Sequence, residues 1–207
     1  MYLHLELKLV PNDRLTEAIE RLNQLHQLMA RSPGFLEAQI YRYLGAPGQY
    51  LIVRTWRNPE THQEYRATPE AKKFGVGRST VMPYENLAVQ HWDEVVRSPG
   101  SGEGEFLVRS LHNVGIGSDR AYLASRYQSD ALVLKAGGVM DVRTYRPISG
   151  VDSMSEALVL ERRRDRGGYD AYLESVASND YESSVADTVY TTKLIECYQI
   201  VQEVLPA

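Results

Sequence analysis

The 207-residue chain holds a single cysteine, Cys197, so no disulfide can form within it and a cysteine-rich zinc site is excluded. No apolar run approaches the roughly 20 residues that a membrane-spanning helix needs. Positive charge is not in excess: 23 Lys and Arg against 27 Asp and Glu leave a net charge of −4, without the basic footprint of a nucleic-acid binder. The opening residues, Met1-Tyr2-Leu3-His4-Leu5-Glu6, have no basic segment of a secretory signal. Five histidines, His4, His26, His62, His91 and His112, are scattered without His-x-x-x-His or Glu-x-x-His spacing. Gly115 and Gly117 are not followed by a third glycine at dinucleotide spacing, and no Gly-Lys-Ser/Thr loop occurs. These absences predict a cytoplasmic protein that uses no metal, flavin or nucleotide and binds neither nucleic acid nor membrane. What is there, 43% hydrophobic and 24% charged residues, is the balance of a folded globular chain.

Composition breaks once, at Ser98-Pro99-Gly100-Ser101-Gly102-Glu103-Gly104, which reads as a linker over 98–104. It separates a first repeat, 1–97, from a second, more divergent one, 105–207. In the first, Leu3, Leu5, Leu7 and Leu9 alternate with His4, Glu6 and Lys8 as a strand. Asp13 can cap a helix over 14–31 whose inner face carries Leu15, Ile19, Leu22, His26 and Met29. Strands follow at 35–43 and 50–56. Asn58-Pro59 opens a second helix, which Thr68-Pro69 breaks and restarts, and a last strand spans 84–92. The second repeat gives strands at 106–111, 140–145, 157–162 and 193–201, with helices at 119–136 and 169–178. Both halves read β-α-β-β-α-β, the ferredoxin-like order, so the fold class is α+β. A single offset of 107 places Val53–Asn58 on Leu160–Asp165, His62 on Tyr169 and Tyr65 on Tyr172, the mark of an internal duplication.

A four-stranded sheet with both helices on one side leaves its other face bare, and that face needs cover. The alternation places Leu3/Leu5/Leu7/Leu9, Leu36/Ala38/Ile40 and Leu51/Val53 under the helices. It leaves His4, Glu6, Arg54, Trp56 and Trp92 on the opposite face. Two such sheets pressed together in one chain form an intrachain pseudo-dimer, with a further homodimer left open.

The run Val53-Arg54-Thr55-Trp56-Arg57-Asn58-Pro59-Glu60, followed by Tyr65-Arg66-Ala67-Thr68-Pro69-Glu70 and Phe74, resembles the strand-to-helix signature of antibiotic biosynthesis monooxygenase domains. The resemblance implies a pseudo-dimeric α/β barrel built from a tandem duplication. It also implies oxidation of a small aromatic or polyketide-type substrate by O2, without cofactor, in a slot between helices and sheet. The substrate, once deprotonated, is itself the electron donor, so the protein must bind a flat ring, accept a proton and hold an anion. On that basis His62 and Tyr65, one helical step apart, are the candidate base and oxyanion donor. Trp56, Arg54, Tyr169 and Tyr172 are the candidate substrate-binding residues. Each has a plainer reading: Trp56 as corner packing, His62 as a surface residue, Arg54 as a cross-strand ion-pair partner. His91 reads as a core histidine. Arg163 stands where the first repeat has Trp56, so two identical sites are not expected. The alternatives are a non-catalytic ligand-binding or stress-associated barrel, and a haem-binding protein. Haem-handling relatives carry Asn on the first strand and His near the end of the second helix, where this chain has Leu5 or Glu6 and the neighbourhood of Gly75.

Overall fold

The computed structural model describes residues 1–74, 83–100, 104–115, 117–148, 154–174 and 190–206. The chain divides into two compact units, Met1–Trp92 with Ile200–Ala207, and Asp93–Gln199. The first contains β1 (Tyr2–Leu9), α1 (Leu15–Ala30), β2 (Phe35–Tyr43), β3 (Gln49–Trp56), α2 (Pro59–Ala67) and the start of β4 (Glu85–Pro99), with further helical residues at 69–74. The second contains β5 (Phe106–Val114), α3 (Asp119–Ala136), β6 (Val139–Pro147), β7 (Glu156–Arg163), α4 (Arg166–Leu173) and most of β8 (Tyr190–Val204). The fold class is therefore α+β with two ferredoxin-like repeats in one chain. The sequence around Gly75 and the predicted helix end at Ser178 lie outside the described residues.

Strand β4 runs on through Pro99, and the Gly100 amide donates to the Met140 carbonyl at 3.0 Å. The first residues of the composition break are thus extended backbone with a partner. Asp13 does not cap α1. A 3-10 turn over Asn12–Arg14 leads into the helix instead, its Arg14 amide bonded to the Pro11 carbonyl, and Arg14 takes the cap position without a side-chain bond. Helix α2 starts as its sequence predicts: the Asn58 side chain accepts from the Thr61 amide at 2.9 Å, with Pro59 in the first turn. In the second unit Asp165 does the same for Gly168 at 2.7 Å. Thr68 ends α2 with an extended backbone, and its hydroxyl then accepts from the Ala71 amide to start the next turn.

The turn after α1 sets where α2 lies. Gly34 has φ +83°, and a Cβ there would meet the Thr61 side chain at 2.6 Å. Its carbonyl accepts from the Arg57 amide at 2.7 Å. Only glycine satisfies both the left-handed backbone and the close approach, so the β3–α2 corner is clamped against the end of α1.

Register corrects the assignment of sheet faces. In the antiparallel β1–β3 pair Tyr2 opposes Trp56 and His4 opposes Arg54, and in β2–β3 Ala38 opposes Arg54 and Ile40 opposes Ile52. Directly opposed residues share a face. That face meets the helices: Arg54 bonds His26 of α1, and Ile40 and Ile52 cluster with Ala18 and Leu22. The helix-facing set is therefore Tyr2, His4, Glu6 and Lys8 on β1, with Tyr50, Ile52, Arg54 and Trp56 on β3. On β2 Ala38 and Ile40 face as the alternation predicts, and on β4 Trp92 lies on the face opposite the pocket-lining His91, also as predicted. Leu3, Leu5, Leu51 and Val53 point the other way and are buried all the same. The alternation was sound but its meaning was not, because a sheet buried on both faces offers no solvent side to attract the polar set.

The 107 offset carries β3 and α2 onto β7 and α4, whereas β1 and β2 map onto β5 and β6 with an offset of 104. Matching the ladders, Tyr2–Trp56 and His4–Arg54 correspond to Phe106–Arg163 and Val108–Glu161.

Candidate active site

In the first unit a pocket of about 370 Å³ opens between this helix-facing sheet surface and the helices. Strand β1 contributes His4 and Glu6, β3 Arg54, α2 His62, Tyr65 and Arg66, and β4 Asn86, Val89 and His91. Leu25 and Met29 of α1 and Phe74 supply apolar wall.

Three imidazoles crowd the pocket. The His4 ring centroid lies 4.9 Å from those of both His62 and His91, and His62 and His91 are 6.2 Å apart. They come from β1, α2 and β4, so no local motif announces them. His91 is held by the Tyr2 hydroxyl, 2.6 Å from its Nδ1. Below them lies a buried charge network. Glu6 is 2.9 Å from Arg54 Nη1, 2.7 Å from Lys8 Nζ and 3.3 Å from His4 Nε2. Arg54 Nε donates to His26 Nε2 at 3.0 Å, so that histidine nitrogen carries no proton. Lys8 also donates to Asn86 Oδ1 at 2.5 Å and sits 4.0 Å over the Tyr84 ring.

These surroundings set the protonation states. Burial, with Arg66, His91 and Arg54 nearby, lowers His62 to about 4. Burial first, then Arg66, lowers His91, and burial with Arg54 holds His4 well below the usual imidazole range. Glu6 is held well below the usual carboxylate range by Arg54 and Lys8, which outweigh its burial. Near neutral pH the pocket thus presents neutral imidazoles beside a fixed guanidinium. It can accept a proton and hold the anion left behind.

This arrangement makes folding pH-dependent. In the second unit burial and Arg126 lower His112 to about 3. A histidine whose folded pKa lies below its unfolded value near 6.5 takes up a proton on unfolding, so stability rises with pH and is lost as pH falls below about 6.5. Between pH 7 and pH 5, His62 and His112 should each remove about 2 kcal/mol from the unfolding free energy. Glu6 acts in the same direction at lower pH, below its unfolded value near 4.5. Urea unfolding at both pH values measures the loss; a midpoint independent of pH over that range would contradict it.

The sequence-predicted residues do not all come together. His62, Tyr65 and Arg54 line one pocket. Trp56 is fully buried and backs it, its ring 5.3 Å from His62, 5.4 Å from Tyr65 and 5.3 Å from Phe35. Tyr169 and Tyr172 belong to the second unit, where they flank Arg163: its guanidinium lies 5.0 Å and 4.6 Å from their ring centroids and pairs with Glu161 at 2.7 Å. The ladder positions of Tyr2, His4, Arg54 and Trp56 are there Phe106, Val108, Glu161 and Arg163, so the imidazole–guanidinium arrangement is not repeated. His4 and His91 were missed as site residues. The signal was the row His4, Glu6, Lys8 on one face of β1, three ionisable groups sharing a face with Arg54. Among the described residues no group of three or more His, Cys, Asp or Glu is arranged to hold a metal ion, and no helix is long and apolar enough to cross a membrane.

No curated protein sequence matches the chain. Among solved structures, a candidate monooxygenase of Fusobacterium nucleatum superposes with a TM-score of 0.78 at 13% identity, covering 99% of this chain and 94% of its own. A candidate monooxygenase of Lactobacillus acidophilus gives 0.70 at 12%, over 100% and 97%. An anthrone oxidase-like protein gives 0.69 at 12%, over 100% and 93%. At such identities the likeness is one of fold, and it extends over both repeats. The family model for antibiotic biosynthesis monooxygenase matches residues 1–75, which hold β1 to α2 and most of the pocket wall. Over those residues the first repeat is thus similar to an antibiotic biosynthesis monooxygenase domain.

Proposed function

We propose that the first-unit pocket oxidises a small hydroxylated aromatic or polyketide-type compound with O2, without a cofactor. The observation that carries this reading is the grouping of three imidazoles kept neutral beside the Arg54 guanidinium in a partly apolar pocket. His62 accepts the acidic proton of the substrate, and Arg54 holds the resulting phenolate or enolate. Tyr65 donates to the same oxygen. The electron-rich anion then reduces O2: a ring CH2 becomes C=O, one oxygen atom entering the product and the other leaving as water. The apolar wall of Leu25, Met29 and Phe74 packs the ring and keeps water from the anion. The domain match and the monooxygenase-like neighbours support the reaction class.

Oxygen uptake with a panel of anthrones and hydroxyquinones tests it, with chelator present and no flavin added. The expected result is turnover that Tyr65→Phe lowers several-fold, as loss of one hydrogen bond does, and that Tyr172→Phe leaves unchanged. Binding of the panel without oxygen uptake would instead identify a non-catalytic ligand-binding protein. Tight one-to-one uptake of added haem, with no uptake of oxygen on the panel, would identify a haem protein. Loss of activity in Tyr172→Phe, with Tyr65→Phe intact, would move the site to the second unit.

A further inference from the structure

The pocket has two polar ends of different character. At the inner end are His4, 9% exposed, and Arg54, 0% exposed. His4 Nε2 faces Glu6 at 3.3 Å, while His4 Nδ1 and Arg54 Nη2 complete no hydrogen bond among the described residues. Both residues line the pocket, so they offer hydrogen-bonding groups to an oxygen-bearing ligand. At the outer end are Arg66 of α2 and Lys72, both exposed, both lining the pocket, and neither in an ion pair among the described residues. Among the described lining residues the one carboxylate, Glu6, already serves Arg54 and Lys8. Tyr65, Phe74 and Met29 also line the pocket.

We propose that this pocket selects an aromatic hydroxy acid: the hydroxyl docks against His4 and Arg54, the ring lies between Tyr65 and Phe74, and a carboxylate on the far side of the ring pairs with Arg66 and Lys72. This deepens the monooxygenase reading and rests on the same pocket. A neutral phenol would fill the inner end and leave two cations unpaired at the mouth. A carboxylic acid without the hydroxyl would leave His4 and Arg54 Nη2 buried and unmatched, the costlier fault. Arg66 is also, after burial, the largest influence lowering both His62 and His91, in keeping with its place in the pocket lining.

Binding alone tests the proposal, independent of turnover. Three flat probes are titrated by calorimetry at low ionic strength: a naphthol, the naphthoate of the same ring system, and the hydroxynaphthoate bearing both groups on opposite rings. The hydroxynaphthoate should bind about tenfold more tightly than the naphthol, the scale of two solvent-exposed charge pairs. Added salt should erode that preference. In the double variant Arg66→Gln/Lys72→Gln the preference should vanish while naphthol binding stays at the wild-type value. His4→Gln should weaken the naphthol and the hydroxynaphthoate alike and spare the naphthoate. Equal binding of naphthol and hydroxynaphthoate, or a preference that survives the double variant, overturns the proposal; oxygen uptake with uncharged anthrones would then still support the monooxygenase reading. Failure of all three probes to bind overturns it as well.

Discussion

Replacing His62 with alanine is expected to lower the rate of oxygen consumption by about 10²–10⁴-fold, the usual contribution of a positioned general base. The ring stands within 4.9 Å of His4 and 5.2 Å of Tyr2, centroid to centroid, and lines the pocket. Lowered to about 4 by burial and by the nearby cations, it is unprotonated over the whole neutral range. A base of that kind is weak in the empty pocket. Its proton affinity rises once a phenolate lies beside the imidazolium it becomes. Two readouts separate this role from packing. The acid limb of kcat/KM should fall near pH 4 and not near 6.5, since that limb reports the free enzyme. His62→Gln, which keeps most of the volume, should be about as inactive as His62→Ala while melting close to wild type. An active His62→Gln would remove His62 from the chemistry.

Glu6→Ala carries the largest expected cost to stability. The carboxylate is 3% exposed and lies between two fully buried cations, Arg54 at 2.9 Å and Lys8 at 2.7 Å. Removing one partner of a buried ion pair leaves the other charge without compensation, a loss of about 3–5 kcal/mol. Typical domains have only about 5–15 kcal/mol in total. Urea unfolding at pH 7 should therefore show Glu6→Ala much less stable than wild type, with part of the loss recovered in Glu6→Gln, whose amide oxygen still accepts from one cation. His26 and Asn86 retain their bonds to Arg54 and Lys8 in both variants, so the difference reads the charge itself. An unchanged unfolding midpoint in Glu6→Ala would mean that these cations do not depend on Glu6.

The element order, the duplication and the α2 cap were legible in the sequence because each rests on neighbours along the chain. The period-two leucines of β1, Asn58-Pro59 ahead of α2 and Ser32-Pro33-Gly34 after α1 all specify local backbone. His62 and Tyr65 were legible as a pair for the same reason, being one helical turn apart. What the sequence could not decide was which side of each strand meets the helices. Alternation distinguishes two faces but not their destinations, and here both faces are buried, so the apolar leucines did not have to be the helix-facing set. That choice was made by cross-strand register, which set His4 opposite Arg54 and Tyr2 opposite Trp56, and by the bond from Arg54 to His26. Once the polar face of β1 turned toward the helices, His4 met His62 and His91 across 58 and 87 residues of chain. Such a meeting has no periodicity in sequence. It exists because Glu6 neutralises Arg54 and Lys8 only when all three are folded onto one surface, a long-range electrostatic match that tertiary structure alone supplies.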